Sequence, residues 1–225
     1  VAIGLPVTYP TMLAAILAIT LLAPQDNVDT YGKTQAEVLA MGPDAWFKFY
    51  TAQAGDSTAA MSNAYGIYGD IAAARNKRML SSSHLKDRSK LEKLRSLMAN
   101  FGGDMINLGS LLSGGGTMWN VVSAQQYADA EETFYSVARP SGRAKAKQVV
   151  VSDVTKRMEL NRKKVLASLA SGDIPKDKKG DAMSGLADAK STFREIVAIA
   201  STYDRTTSDR ILGFCLRQAE LLGSL

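Results

Sequence analysis

The sequence predicts an all-α protein, an antiparallel up-down helical bundle with a hydrophobic N-terminal helix, and three observations lead there. From Ser89 to Leu112 the apolar residues Leu91, Leu94, Met98, Phe101, Met105, Leu108 and Leu112 recur in alternating steps of 3 and 4, the spacing of a helix that packs lengthwise against other helices. Similar stripes follow in later segments, separated by short breaks, and short connections make consecutive helices antiparallel neighbours. No strand-like alternation of useful length occurs; Gln148 to Val151 is the only β-branched run, too short to carry a sheet.

With 225 residues, 46% hydrophobic and 22% charged, the chain has a globular composition and length enough for a sizeable core. Cys215 is the only cysteine, which excludes an internal disulfide and a cysteine-based zinc site. His84 is the only histidine, which removes most metal-ligand and histidine-based catalytic arrangements and leaves open a single contact to a pigment metal. The net charge is +5, with the excess after the first eighty residues, which are slightly acidic.

From Val1 to Gln25 no side chain is charged, and Met12 to Ala23 is the densest apolar part, bracketed by Pro10 and Pro24 as helix start and stop. The chain starts at Val1 rather than Met, as in a processed or truncated form. A membrane span needs about 20 apolar residues, a length that Leu5 to Pro24 reaches only by including Pro6 and Pro10. Both a membrane helix and a helix buried against protein fit. The flank that follows is acidic on balance (Asp26, Asp29, Glu37, Asp44 against Lys33), which favours the lumenal or exported side for a span. Residues 1–44 are thus an N-terminal arm or anchor with its linker, and 45–225 the bundle.

Gly42-Pro43-Asp44 makes a turn, and Ala45 to Arg78 reads as one alanine-rich helix. Its cluster Trp46, Phe47, Phe49, Tyr50 suits either core packing or contact with a partner or pigment. Gly66 and Gly69 weaken that helix or admit another backbone. Ser81, Ser82 and Ser83 are candidate N-caps for the Ser89–Leu112 helix, which Gly114-Gly115-Gly116 ends. Thr117 to Val137 follows, marked by Trp119, Val122, Tyr127 and Phe134; then Val149 to Ser171, ended by Gly172; then Asp181 to Thr202; then Asp209 to Leu225, with Thr206, Thr207 and Ser208 as its cap. Cys215 lies on the last apolar stripe as a small core residue.

No catalytic constellation is legible. The glycine runs lack the Lys-Ser/Thr of a P-loop and follow helices rather than strands, and no H-E-x-x-H or G-x-S-x-G occurs. Asp173, Asp177 and Asp181 read as turn and cap residues, and Asp104, off the seam, as an exposed or locally capped carboxylate in preference to a buried functional one. Two basic blocks stand out: one around Arg75, Lys77, Arg78 and Lys86, the other with Arg143, Lys145, Lys147, Lys163 and Lys164. They fit phosphates, acidic lipid or acidic protein, but no interleaved aromatics accompany them, so nucleic acid is the disfavoured partner.

The segment Ser171 to Ile196, SGDIPKDKKGDAMSGLADAKSTFREI, resembles the Q-type extrinsic subunit of photosystem II, an oxygen-evolving enhancer protein. Pro175, Lys176, Asp177 and Lys178, then Leu186 and Phe193, then Thr206 to Ser208, then Leu221 to Leu225 follow that family's order of lysine-rich turn, helix, break and last helix. The resemblance covers about the last third of the chain; the N-terminal run and Ala45 to Arg78 have no obvious counterpart there. It implies a four-helix bundle docked on a membrane photosynthetic complex at the thylakoid membrane or its lumenal side, without catalysis of its own.

The function expected is that of a non-catalytic helical subunit that docks on and stabilises a larger membrane-bound assembly. Leu13, Ile16, Leu17 and Leu21, with Trp46, Phe47, Phe49 and Tyr50, would be its partner contacts, and the membrane would be met through the N-terminal run. No resident cofactor or metal is expected, while chlorophyll or carotenoid contact stays open. The alternative is a basic protein that coats nucleic acid or forms filaments.

Overall fold

A computed structural model describes residues 29–82, 85–139 and 147–223. Among them lie eight α-helices and no strand: α1 (Gln35–Met41), α2 (Pro43–Ala54), α3 (Thr58–Leu80), α4 (Arg88–Ser113), α5 (Met118–Ala138), α6 (Val151–Ser171), α7 (Lys179–Ala200) and α8 (Arg205–Gly223), with a 3₁₀ turn at Lys176–Lys178 before α7. The chain divides into two compact units, Val1–Gly32 and Lys33–Leu225. The described part of the first is a turn in which the Tyr31 N–H donates to the Asp29 carboxylate. The apolar run expected to form a helix from Met12 to Ala23 lies outside the described residues. The second unit begins before the expected boundary at 44, because α1 buries Val38 completely among side chains of α2 and α3.

The seam helix is α4, and its stripe is buried from Leu91 through Leu94, Met98, Phe101, Met105 and Leu108, with Leu112 half-buried near the end. Gly114 ends it in the left-handed conformation (φ 72°), donating its N–H to the Ser110 carbonyl. Its N-cap is Asp87 (φ 55°) and not one of the serines; Ser81 instead closes α3. The single helix expected over 45–78 is two, because Gly55 (φ 85°) closes α2 and the Ser57 hydroxyl caps α3 by accepting from the Ala60 N–H. The last helix starts earlier than expected, since the Asp204 carboxylate accepts the Thr207 N–H (3.0 Å) and so caps its first turn.

Two apolar clusters hold the second unit together. The larger draws Leu94, Met98 and Phe101 from α4, Phe134 from α5, Val154 and Val165 from α6, Phe193 and Ile196 from α7, and Ile211, Phe214 and Cys215 from α8. Phe101 and Phe193 meet with ring centroids 5.9 Å apart. The smaller joins α1, α2, α3 and the first half of α5 around Trp46, Tyr50, Tyr65 and Tyr68. Each large side chain taken fully out of water contributes about 1.5–3 kcal/mol, so both clusters are substantial.

Helix α5 faces both, and glycines set how closely its neighbours approach. A Cβ on Gly69 of α3 would overlap the Tyr127 ring; one on Gly102 of α4 would overlap the Gln126 side chain; one on Gly109 would overlap Trp119. Gly66, one turn from Gly69, faces open space. Gly66→Ala should therefore stabilise the protein by up to about 1 kcal/mol through helix propensity. Gly69→Ala should destabilise it by about 1 kcal/mol or more, because the overlap with a ring outweighs the same propensity gain. Urea unfolding of the two variants side by side checks the opposite signs.

Candidate functional site

The sites expected from sequence are redistributed by the fold. Trp46 is fully buried and its Nε1–H donates to the Ala64 carbonyl (2.8 Å), while Tyr50 is 6% exposed. Phe47 stacks on Tyr65 (4.6 Å between centroids), and Lys33 lies over the Phe49 ring. As partner anchors Trp46 and Tyr50 are corrected, since they pack the smaller core, whereas Phe47 and Phe49 keep partial exposure. Leu13, Ile16, Leu17, Leu21, His84, Arg143 and Lys145 lie outside the described residues.

The basic residues separate into three groups. Arg75 leaves the basic face altogether. Its guanidinium pairs with Glu132 (3.0 Å) and stacks 3.6 Å over the Tyr135 ring, because α3 and α5 approach at Gly69 closely enough for the two side chains to meet. Lys163 is exposed, and Lys164 donates to the Leu222 carbonyl at the C-terminal end of α8. Lys77, Arg78, Lys86 and Lys147, by contrast, converge. Asn76 in the last turns of α3 donates to Glu131 in α5; Arg210 in the first turns of α8 donates to the Ser136 carbonyl of α5; the Val149 N–H donates to Asp209 of α8; and Lys90 at the start of α4 donates to Thr202, just after α7. These bonds gather the α3 and α5 C-termini, the α4 and α8 N-termini and the 147–150 segment at one end of the unit.

Under that end lies a polar layer that the sequence did not announce. Glu131 is 6% exposed and accepts from Arg95 Nε at 3.0 Å and from Asn76 Nδ2 at 2.7 Å. Beside it, Glu132 takes both Arg75 and the Tyr68 hydroxyl (2.9 Å), and burial pushes the Tyr68 phenol well above its ordinary range. One readable sign was present: α5 carries Gln126, Asp129, Glu131, Glu132 and Thr133 within two turns, too many polar groups for a helix that packs on two sides.

A cleft of about 230 Å³ opens between α2, α3, α5 and α8, lined by Tyr65, Val122, Gln126, Asp129, Arg217 and Gln218 among others. Asp129 holds Arg217 (2.7 Å) and accepts from Gln218 Nε2 (3.0 Å). Gln218 Oε1 and Gln126 Nε2 are buried without a protein partner. Asp104 is half-buried rather than exposed, and burial, then the neighbouring Asp188 carboxylate, pushes it up to about 6. Burial raises the Cys215 thiol far above its ordinary value. Among the described residues no group of three or more His, Cys, Asp or Glu could hold a metal ion, and no helix is long and apolar enough to cross a membrane.

Comparison of the chain with protein-family models, with curated proteins and with solved structures gives no significant match.

Glu131→Gln should cost about 2 kcal/mol in urea unfolding, since it leaves the Arg95 charge without its carboxylate, and partial exposure of Arg95 keeps the loss below that of a fully buried pair. Asp104 gives a pH signature. Its folded pKa lies above the unfolded value, so its favourable contribution is complete below about pH 4 and is lost as pH rises through about 6. Asp104→Asn should raise the thermal midpoint by about 2–5 °C at about pH 7.5 and leave it nearly unchanged at about pH 4, as calorimetry at the two pH values would read.

Proposed function

We propose that the second unit is an antiparallel up-down bundle that serves as a non-catalytic subunit, docking on and stabilising a larger membrane-bound assembly through the N-terminal arm. Several contacts support the topology. Arg95, Gly102 and Gly109 of α4 meet Glu131, Gln126 and Trp119 of α5 in opposite order. Lys93, Phe101 and Leu108 of α4 likewise meet Glu195, Phe193 and Gly185 of α7 in opposite order.

The observation that carries the function is the charge-free stretch from Val1 to Gln25 joined to helices whose interior charges are turned on one another. Arg75, Arg95 and Asn76 are held by Glu132 and Glu131, an arrangement that supports a scaffold rather than a reacting centre. A photosynthetic complex is the particular assembly that the resemblance of Ser171 to Ile196 implies. The nucleic-acid alternative loses Arg75 of its first block to an internal pair with Glu132.

Affinity purification from the source membranes tests this reading. The full chain should bring down a defined set of subunits, and a chain lacking residues 1–25 should lose them while its far-UV circular dichroism per residue stays nearly the same. Unchanged co-purification after the deletion would overturn it.

A further inference from the structure

We infer that the end of the helical unit formed by the α3 and α5 C-termini, the α4 and α8 N-termini and the 147–150 segment is a docking surface for an anionic lipid bilayer. Lys77 and Arg78 lie in the last turn of α3, Lys86 in the turn before α4, Arg139 at the end of α5 and Lys147 before α6. All five are exposed, and among the described residues none has an ion-pair partner.

The acids at this end are already engaged. Asp87 pairs with Lys90 and Glu92 with Arg88. Asp209 holds Arg205 and the Val149 N–H, Asp204 caps α8, and Asp153 accepts from the Val150 N–H. Among the described residues Asp204 and Asp153 have only neutral donors and keep their charge, but the five cations outnumber them. A net positive charge contributed by two blocks far apart in sequence therefore remains toward solvent.

The chemistry of this end favours lipid headgroups over nucleic acid. Single-stranded nucleic acid is held by exposed aromatic platforms as well as charge, and the aromatics here are covered from within: Arg75 lies over Tyr135 and Lys90 over Tyr203. In their place stand two exposed aliphatic residues, Val150 (36%) and Val151 (40%), next to Lys147. Apolar side chains flanked by Lys and Arg are what a headgroup–acyl boundary accepts. The cations come from separate turns and build no pocket, which suits a bilayer whose phosphates have no fixed arrangement. The surface rests on the function proposed above, being of use to a subunit that works at a membrane, but it acts independently of the N-terminal arm.

Sedimentation of the full chain with vesicles tests it, comparing pure phosphatidylcholine with a phosphatidylcholine–phosphatidylserine mixture at low and high salt. Binding through the apolar arm is common to both vesicles, so the quantity read is the anionic-to-neutral affinity ratio. That ratio should exceed about tenfold at low salt and collapse at high salt. K77Q/R78Q/K86Q/K147Q should bring it close to one without changing binding to neutral vesicles. A control removing equal charge elsewhere, K163Q/K176Q/K179Q/K190Q, should keep most of it. A ratio near one for the full chain, or equal losses in the two variants, overturns the proposal. So does a quadruple variant that keeps its lipid ratio but loses binding to single-stranded poly-U RNA. Failure here with intact co-purification would leave the function proposed above standing; loss of co-purification with an intact lipid ratio would do the reverse.

Discussion

A carboxylate withdrawn from water must be met by charge and hydrogen-bond donors on all sides, and Glu131 is met from two other helices. Arg95 comes from α4 and Asn76 from α3, so a single acid on α5 ties three helices together. Its hydrogen bonds have direction, which apolar packing lacks, so a slip of one turn in any of the three helices would leave a buried charge alone. The neighbouring Glu132, with Arg75 and Tyr68, repeats the restraint half a step away on the same helix. Leu and Phe side chains supply the bulk of the driving force around this layer, and the layer selects which of many similar apolar registers is adopted.

Because α5 carries that layer, it also divides the interior. Val121 and Ala128 face the cluster built on Trp46 and Tyr68, whereas Ala130, Phe134 and Val137 face the cluster built on Phe101 and Phe214. A helix packed on two sides needs small neighbours, and Gly69, Gly102 and Gly109 meet that need by receiving Tyr127, Gln126 and Trp119. The convergence of basic residues at one end follows from the same layout. It is the helix directions that bring Lys77 and Lys147 to a common surface while Lys164 reaches the C-terminal carbonyls of α8.

The helices were legible because their spacing is a local property. The 3-4 stripe from Leu91 to Leu108 and the glycine stops at 114 and 172 can be read without knowing what lies opposite. Boundaries were less legible where a competing cap was present, as with Asp204 in place of nearby threonines, where the left-handed Asp87 rather than a serine precedes the helix, or where Gly55 and Ser57 broke an alanine-rich run. The candidate sites were least legible. From sequence Arg75 looks like part of a basic face and Trp46 suits core or partner equally, and only the closeness of α2, α3 and α5 turns both inward. The shared end of the two basic blocks depends on Asn76 meeting Glu131 and Arg210 meeting Ser136, pairings separated by tens of residues that no periodicity reveals.

Cys215 sits fully enclosed on α8, in the larger cluster, and is the only sulfhydryl in the chain. A maleimide or disulfide reagent added to the native protein finds no second thiol to compete and no accessible route to this one. Labelling must then wait for the molecule to come apart, and its rate becomes a clock for global opening that requires no engineered probe.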